Sequence, residues 1–259
     1  VSMASATTVV EVLPGDIGLG GNDVWRLANV AGGRSGAISG EQAQTGDGSF
    51  KLTTSNNAGK IDLEYTWGSQ AGLTLGNLNA LSFDFFRDEA STVGGHFTPA
   101  VRLIYQNGNQ RGYLIWEGVY NTGDFKTGSV VIEDQWHSVD LIDENFWQRR
   151  TSPVSGSVEA YGITLEQWAN GANPTGAHVL NEDTLIIGIN IGLGSGWGNN
   201  SYIGYVDNVR VGFDGGFDTT WDFNLTQTPA TLPVPEPATA ALGLMALSSL
   251  AMATRRRRA

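Results

Sequence analysis

An antiparallel β-sandwich of jelly-roll type is the fold class this sequence predicts, and three observations predict it. Apolar and polar residues alternate with period two in several separate stretches. Thirty-five glycines against 16% charged residues mark frequent turns between them. Between Thr7 and about Thr226, only Leu165-Glu166-Gln167-Trp168-Ala169 suggests a helix, and a short one. Many short strands joined by glycine-rich turns pack as a sandwich or jelly roll, and no repeat of solenoid or propeller period occurs.

Taken in chain order, Phe50 to Thr54 reads as the first strand. Lys60 to Trp67 is the clearest: Ile61, Leu63, Tyr65 and Trp67 share one face, Lys60, Asp62, Glu64 and Thr66 the other. Leu81 to Arg87 follows. Val101 to Tyr105 and Tyr113 to Glu117 are joined by Gln106-Asn107-Gly108-Asn109-Gln110, whose Asn-Gly signals a hairpin. Trp136 to Ile142, Leu185 to Leu193 and Ile203 to Phe213 complete the set. In Leu185–Leu193 the odd positions form one apolar face, while Ile186, Gly188, Asn190 and Gly192 leave open space on the other. Packing by neighbouring side chains, or a ligand, would fill it.

The chain carries a net charge of −11. Without Arg255, Arg256, Arg257 and Arg258, 11 basic residues face 26 acidic ones, a net of −15 for the rest. A body that acidic repels phosphate backbones, so nucleic acid is excluded as a natural partner. There is no cysteine, which excludes disulfides, thiolate metal sites and a cysteine nucleophile. His96, His137 and His178 have no metal-binding spacing, and neither a Gly-x-Ser-x-Gly elbow nor a phosphate-binding Gly-x4-Gly-Lys loop is present.

The C-terminus is the most specific stretch. Pro235, Glu236 and Pro237 precede an uncharged apolar run, Ala238 to Ala253, and the four arginines follow. Sixteen helical residues span roughly 24 Å, slightly short of a bilayer core of about 30 Å. The arginines orient such a helix with themselves cytoplasmic and the body outside. Motif, helix and basic end together resemble the PEP-CTERM sorting signal of Gram-negative bacteria that make exopolysaccharide. The resemblance implies an exosortase partner that recognises Pro-Glu-Pro, transient anchoring in the inner membrane, and a fate at the cell surface or in the extracellular matrix. At the other end, Ala4-Ser5-Ala6 has the form of a signal-peptidase site. The expected organisation is a signal-peptide remnant at 1–6, a sandwich at 7–226, a linker at 227–233 and a sorting tail at 234–259 with a short transmembrane helix.

Candidate sites fall in the body. Alternation places Asp207 in phase with Ile203, Tyr205, Val209 and Val211, an inward face on which a bare carboxylate is costly. Calcium would satisfy it. The segment is similar to the last strand of jelly-roll carbohydrate-binding modules, and the loop Gly46-Asp47-Gly48-Ser49 resembles the one that serves calcium there; the resemblance implies Asp207 and Asp47 as metal-site residues. The alternatives are backbone N–H bonds to Asp207, or a bulge that turns it outward. Of eight tryptophans, Trp197, in a glycine- and asparagine-rich loop, and Trp147 are the candidate carbohydrate platforms, while Trp67 and Trp168 read as core. Lys60-Ile61-Asp62-Leu63-Glu64 looks like the Glu-x-Asp-x-Glu strand of jelly-roll β-glucanases, with Lys60 at the nucleophile position. A lysine cannot form the glycosyl ester, so Asp62 and Glu64 read as a solvated face. The expected function is a non-catalytic exported surface or exopolysaccharide-matrix protein that binds carbohydrate. A purely structural or adhesive component and a divergent glycan hydrolase are the alternatives.

Overall fold

The computed structural model describes residues 7–32, 34–55, 60–121, 131–194 and 200–228. The chain divides into two units, Val1–Gln227 and Thr228–Ala259; the fold below is that of the first. Candidate Trp197, the N-terminal residues 1–6 and the C-terminal run from 229 lie outside the described residues. Among those described, no helix is long and apolar enough to cross a membrane.

Among the described residues, fourteen strands form two seven-stranded sheets. The central eight are β4 (Ser49–Thr54), β5 (Lys60–Thr66), β6 (Leu78–Arg87), β7 (Ala100–Asn107), β8 (Gln110–Trp116), β9 (Trp136–Asp140), β12 (Leu185–Leu193) and β13 (Tyr202–Phe213). Their pairing is nested: β7 with β8, β6 with β9, β5 with β12, β4 with β13, each antiparallel. A long double ribbon has been rolled so that β13 also meets β6 and β12 also meets β7. That is the jelly roll expected from the sequence. The other strands extend its edges: β1 (Thr8–Val12), β3 (Ser35–Ser39) and β14 (Asp218–Phe223) in the first sheet, β2 (Trp25–Ala31), β10 (Trp147–Ser152) and β11 (Gly156–Val158) in the second.

Local chemistry explains the elements. Alternation buries Ile61, Leu63 and Trp67 in one core with Phe50, Phe83 and Phe223 from the facing sheet. Each such side chain contributes roughly 1.5–3 kcal/mol when fully buried. The β7–β8 loop is Gly108-Asn109, because Asn107 pairs with Gln110; glycine supplies the positive φ of +59° that the first loop position requires. Helix α1 (Leu165–Ala169) starts on a capping box: Thr164 Oγ1 accepts from Gln167 N, and Gln167 Oε1 accepts from Thr164 N. Trp168 is wholly buried and ties the helix down through its Nε1, which donates to the Phe146 carbonyl.

Two expectations about strand faces are corrected. A bulge between Ile186 and Gly188 turns Ile186 inward beside Ile189, Ile191 and Leu193, so the apolar face of β12 is not simply its odd positions. On β13, Asn208 takes φ +48° at the shift between Asp207 and Arg210. Val206 and Val209 thus both join the core, and Asp207 is out of phase with Val209 and Val211.

β1, β2, β3, β10, β11 and β14 escape the sequence reading because alternation is weak there. In β10 the inward position is Gln148, fully buried. Its amide behaves like a backbone unit: Nε2 donates to the His178 carbonyl at 3.0 Å, and Oε1 accepts from His178 N at 2.7 Å.

Candidate functional site

The outer face of the second sheet carries a groove of about 600 Å³. Register sets the order of its strand-borne lining residues, Asp62, Arg102, Tyr113, Ile115, Trp147 and Arg149, and of the neighbours that hold them. Across the sheet, Trp147 (β10) stands opposite Ile115 (β8), then Arg102 (β7), Asn190 (β12), Glu64 (β5) and Arg26 (β2). One step along, Arg149 stands opposite Tyr113 and Tyr113 opposite Ile104. One step the other way, Ala100, Gly192, Asp62 and Ala28 align.

These polar side chains are locked to one another. Arg102 Nη1 donates to Asp62 Oδ1 at 2.8 Å and to Asn190 Oδ1 at 2.6 Å. Asn190 Nδ2 reaches Glu64 Oε2 at 3.2 Å, and Arg26 Nη2 binds the other Glu64 oxygen. Asn29, at φ +52° in the irregular stretch of β2, donates to Asp62 Oδ2 at 2.6 Å. Asp62 and Glu64 are only 6% and 8% exposed. The solvated face expected of β5 is therefore a buried ionic network, because the long arginines of β2 and β7 fold over it. Gly192 permits this. A Cβ there would lie 2.1 Å from Asp62 Oδ1, so the empty position on β12 is the passage through which Asp62 and Arg102 meet. Packing, rather than open space, occupies that face of β12.

The walls are aromatic. Trp147, Tyr113, Tyr120 and Phe97 line the groove. Trp147 Nε1 donates to Glu117 Oε2 at 3.1 Å, and its ring meets the edge of Tyr161. Tyr161 stacks on Tyr120 with centroids 3.7 Å apart. Burial raises the Glu117 carboxyl above its ordinary value, against the pull of Arg102 and the Trp147 N–H. The Trp147 ring, held by its N–H, thus lines the groove together with this polar network. Of the two candidate tryptophans, Trp147 is thus in the groove, while Trp67 and Trp168 are core as expected. Arg102, Tyr113, Glu117, Tyr120 and Asn190 were not singled out by sequence. Alternation gives Tyr113 an outward face, but only the strand register brings it beside Trp147.

Asp207 lies elsewhere, in the first sheet. β4 and β14 flank the same edge of β13 in succession, and Asp207 sits where one ends and the other begins. Its Oδ1 accepts from Asn208 N and Phe223 N, its Oδ2 from Thr45 N. Complete burial, together with Asp222 nearby, still pushes the carboxyl up to about 7. Thr45 Oγ1 stands 3.0–3.2 Å from three acceptors, Asp207 Oδ2, Asn208 Oδ1 and Asp222 Oδ1, with one proton to give. That surplus of oxygen fits a hard cation. Among the described residues no three His, Cys, Asp or Glu side chains group for a metal, so Asn208 and Thr45 would have to complete the set. Asp47 does not join it. Its Oδ1 accepts from Leu225 N and Thr226 N, fixing the end of the domain, and Gly46 turns the loop at φ +61°.

The match at the other end of the chain decides how the protein is sorted. Residues 233–258 carry the PEP-CTERM protein-sorting motif. This PEP-CTERM tail marks an exported protein destined for the cell surface. No curated protein sequence matches the chain. Among solved structures, the body is similar to a β-1,2-glucanase from Parabacteroides distasonis, at 15% identity over 74% of this chain but 23% of that one, with a TM-score of 0.40. It is similar to a family 11 carbohydrate-binding module from Clostridium thermocellum, in complex with a β-1,3-1,4-mixed-linked tetrasaccharide, at 15% identity over 74% of this chain and 91% of that one, with a TM-score of 0.39. A carbohydrate-binding module specific for non-crystalline cellulose gives 17% identity over 82% and 99% with a TM-score of 0.32.

Proposed function

We propose that the PEP-CTERM protein is a non-catalytic surface or exopolysaccharide-matrix component that holds a polysaccharide chain in the groove of its second sheet. The observation that carries this reading is the contrast between floor and wall. The floor is rigid because its charges are paired and buried, and the wall offers rings at Trp147, Tyr113 and Tyr120. A pre-formed site loses little freedom on binding. The groove crosses β5, β12, β7, β8 and β10, four strand spacings or roughly 19 Å, which suits an extended oligomer. In this reading an exosortase of a Gram-negative cell processes the tail after transient arrest in the inner membrane. Calcium, held by Asp207, Asp222, Asn208 and Thr45, would brace the first sheet from outside the groove.

The groove also holds two carboxylates, Asp62 and Glu117, which is the one feature favouring a glycan hydrolase. Against it, Asp62 is bound by Arg102 and Asn29, and no carboxylate stands at Lys60.

The test is retention of the body on a panel of neutral and acidic polysaccharides, with a reducing-sugar assay on the same panel. Trp147→Ala and Tyr113→Ala should each weaken binding at least tenfold, about 1.4 kcal/mol. Unchanged retention in both variants would remove the groove as the binding site, and steady release of reducing ends would turn the assignment to hydrolysis.

A further inference from the structure

The charge of the groove is opposite to that of the protein. The chain as a whole carries −11. The groove lining contains three cations, Lys60, Arg102 and Arg149, and two carboxylates, Asp62 and Glu117. Arg102 and Asp62 neutralise each other at 2.8 Å. Lys60 and Arg149 are both exposed, and neither takes part in an ion pair among the described residues. Arg149 gives one hydrogen bond, from Nη1 to the neutral Ser157 Oγ, and keeps its other donors for a ligand. The last lining carboxyl, Glu117, is raised by burial, against the pull of the Trp147 N–H that donates to it.

We propose that the groove selects an acidic polysaccharide, one whose sugars carry carboxylates, with Lys60 and Arg149 as the carboxylate-binding residues at its two ends. The proposal rests on the groove being the binding site and adds the class of ligand. Lys60 opens β5, opposite Ala31 of β2, and Arg149 lies on β10 across the sheet, so a chain crossing the floor meets a cation on entry and on exit. Between them the paired floor offers hydroxyl partners, and the tyrosine and tryptophan rings offer sugar faces. The acidity of the remaining body does not oppose this. At physiological ionic strength, exposed charges separated by more than about 8 Å are largely screened, so a bound chain feels the groove. An acidic protein with a cationic groove also discriminates: polyanions are held where carboxylates meet Lys60 and Arg149 and repelled elsewhere.

The experiment compares matched ligands that differ only in charge: a galacturonate hexamer against its full methyl ester, and glucuronate oligomers against glucose oligomers of the same linkage. Binding is read by calorimetry for the wild type, for Lys60→Gln with Arg149→Gln, and for Trp147→Ala. The expected result is a preference of at least tenfold for the acidic member of a pair, reduced to threefold or less in the double variant, whose thermal midpoint stays within about 2 °C of wild type. Equal binding of acidic and neutral members, weakened alike by Trp147→Ala, would overturn the acidic selectivity and leave the groove reading standing. A full preference surviving in the double variant would overturn the roles of Lys60 and Arg149. Binding of some member that no variant touches would bring down the groove reading itself.

Discussion

Arg102→Met probes the most heavily determined part of the groove. The substitution keeps an unbranched apolar stem and removes the donor that serves Asp62 and Asn190 at 2.8 and 2.6 Å. Asp62, only 6% exposed, is then left with the Asn29 amide as its remaining side-chain partner. Removing one member of a buried pair costs about 3–5 kcal/mol, because the other charge stays buried without compensation. A domain of this size loses roughly 2–4 °C per kcal/mol, so calorimetry should show the midpoint fall by roughly 6–20 °C. Adding Asp62→Asn to the same chain discharges the stranded group and keeps an acceptor for Asn29. The double variant should therefore recover most of the loss, returning to within about 2 kcal/mol of wild type, a coupling that a double-mutant cycle measures directly. A fall of less than about 2 °C in the single variant would mean that the pair behaves as a solvent-exposed one, worth at most about 1 kcal/mol. The rigid floor would then be lost from the argument.

Gly192→Ala should destabilise by about 1–3 kcal/mol, since its Cβ would press on Asp62 Oδ1 at 2.1 Å and on the Ile61 carbonyl at 2.4 Å; an unchanged denaturation midpoint would refute the passage assigned to it. His178 is buried, bonded through Nδ1 to the Tyr105 hydroxyl, and its pKa is lowered first by burial and then by Arg150. Its neutral form contributes stability that is complete above about pH 6.5 and is lost as pH falls toward the depressed folded value. The gap in stability between wild type and His178→Gln should therefore narrow between pH 7.5 and pH 5. Taking that difference cancels other groups, including Asp207, whose raised carboxyl works in the opposite sense; a gap independent of pH would refute the assignment. Calcium at millimolar concentration should raise the thermal midpoint of chelator-treated protein and should fail to do so in Asp222→Ala; equal midpoints with and without the ion would dismiss the metal.

The value of alternation as evidence differs from strand to strand. β5, β7 and β8 are legible because each has one face in the core and one in the groove, so the two-residue period survives in composition. β10 is invisible, since its inward Gln148 is satisfied by the His178 backbone and its outward residues, Trp147 and Arg149, are there for the groove. On β13 the alternation is real but misleading: one left-handed residue, Asn208, moves Asp207 from the core phase to the seam between β4 and β14.

By itself the sequence determined what is written locally. A Pro-Glu-Pro run, an apolar stretch and four arginines are contiguous, and so are the alternating strands that make a sandwich unavoidable. The tertiary structure decided everything that depends on register. Asp62, Arg102 and Asn190 are far apart in the chain and meet because β5, β12 and β7 pair with particular residues opposite. Shifting one strand by a single residue would send its side chains to the other face. Composition does not record that choice, so the groove, its paired floor and its positive ends came into view only with the fold.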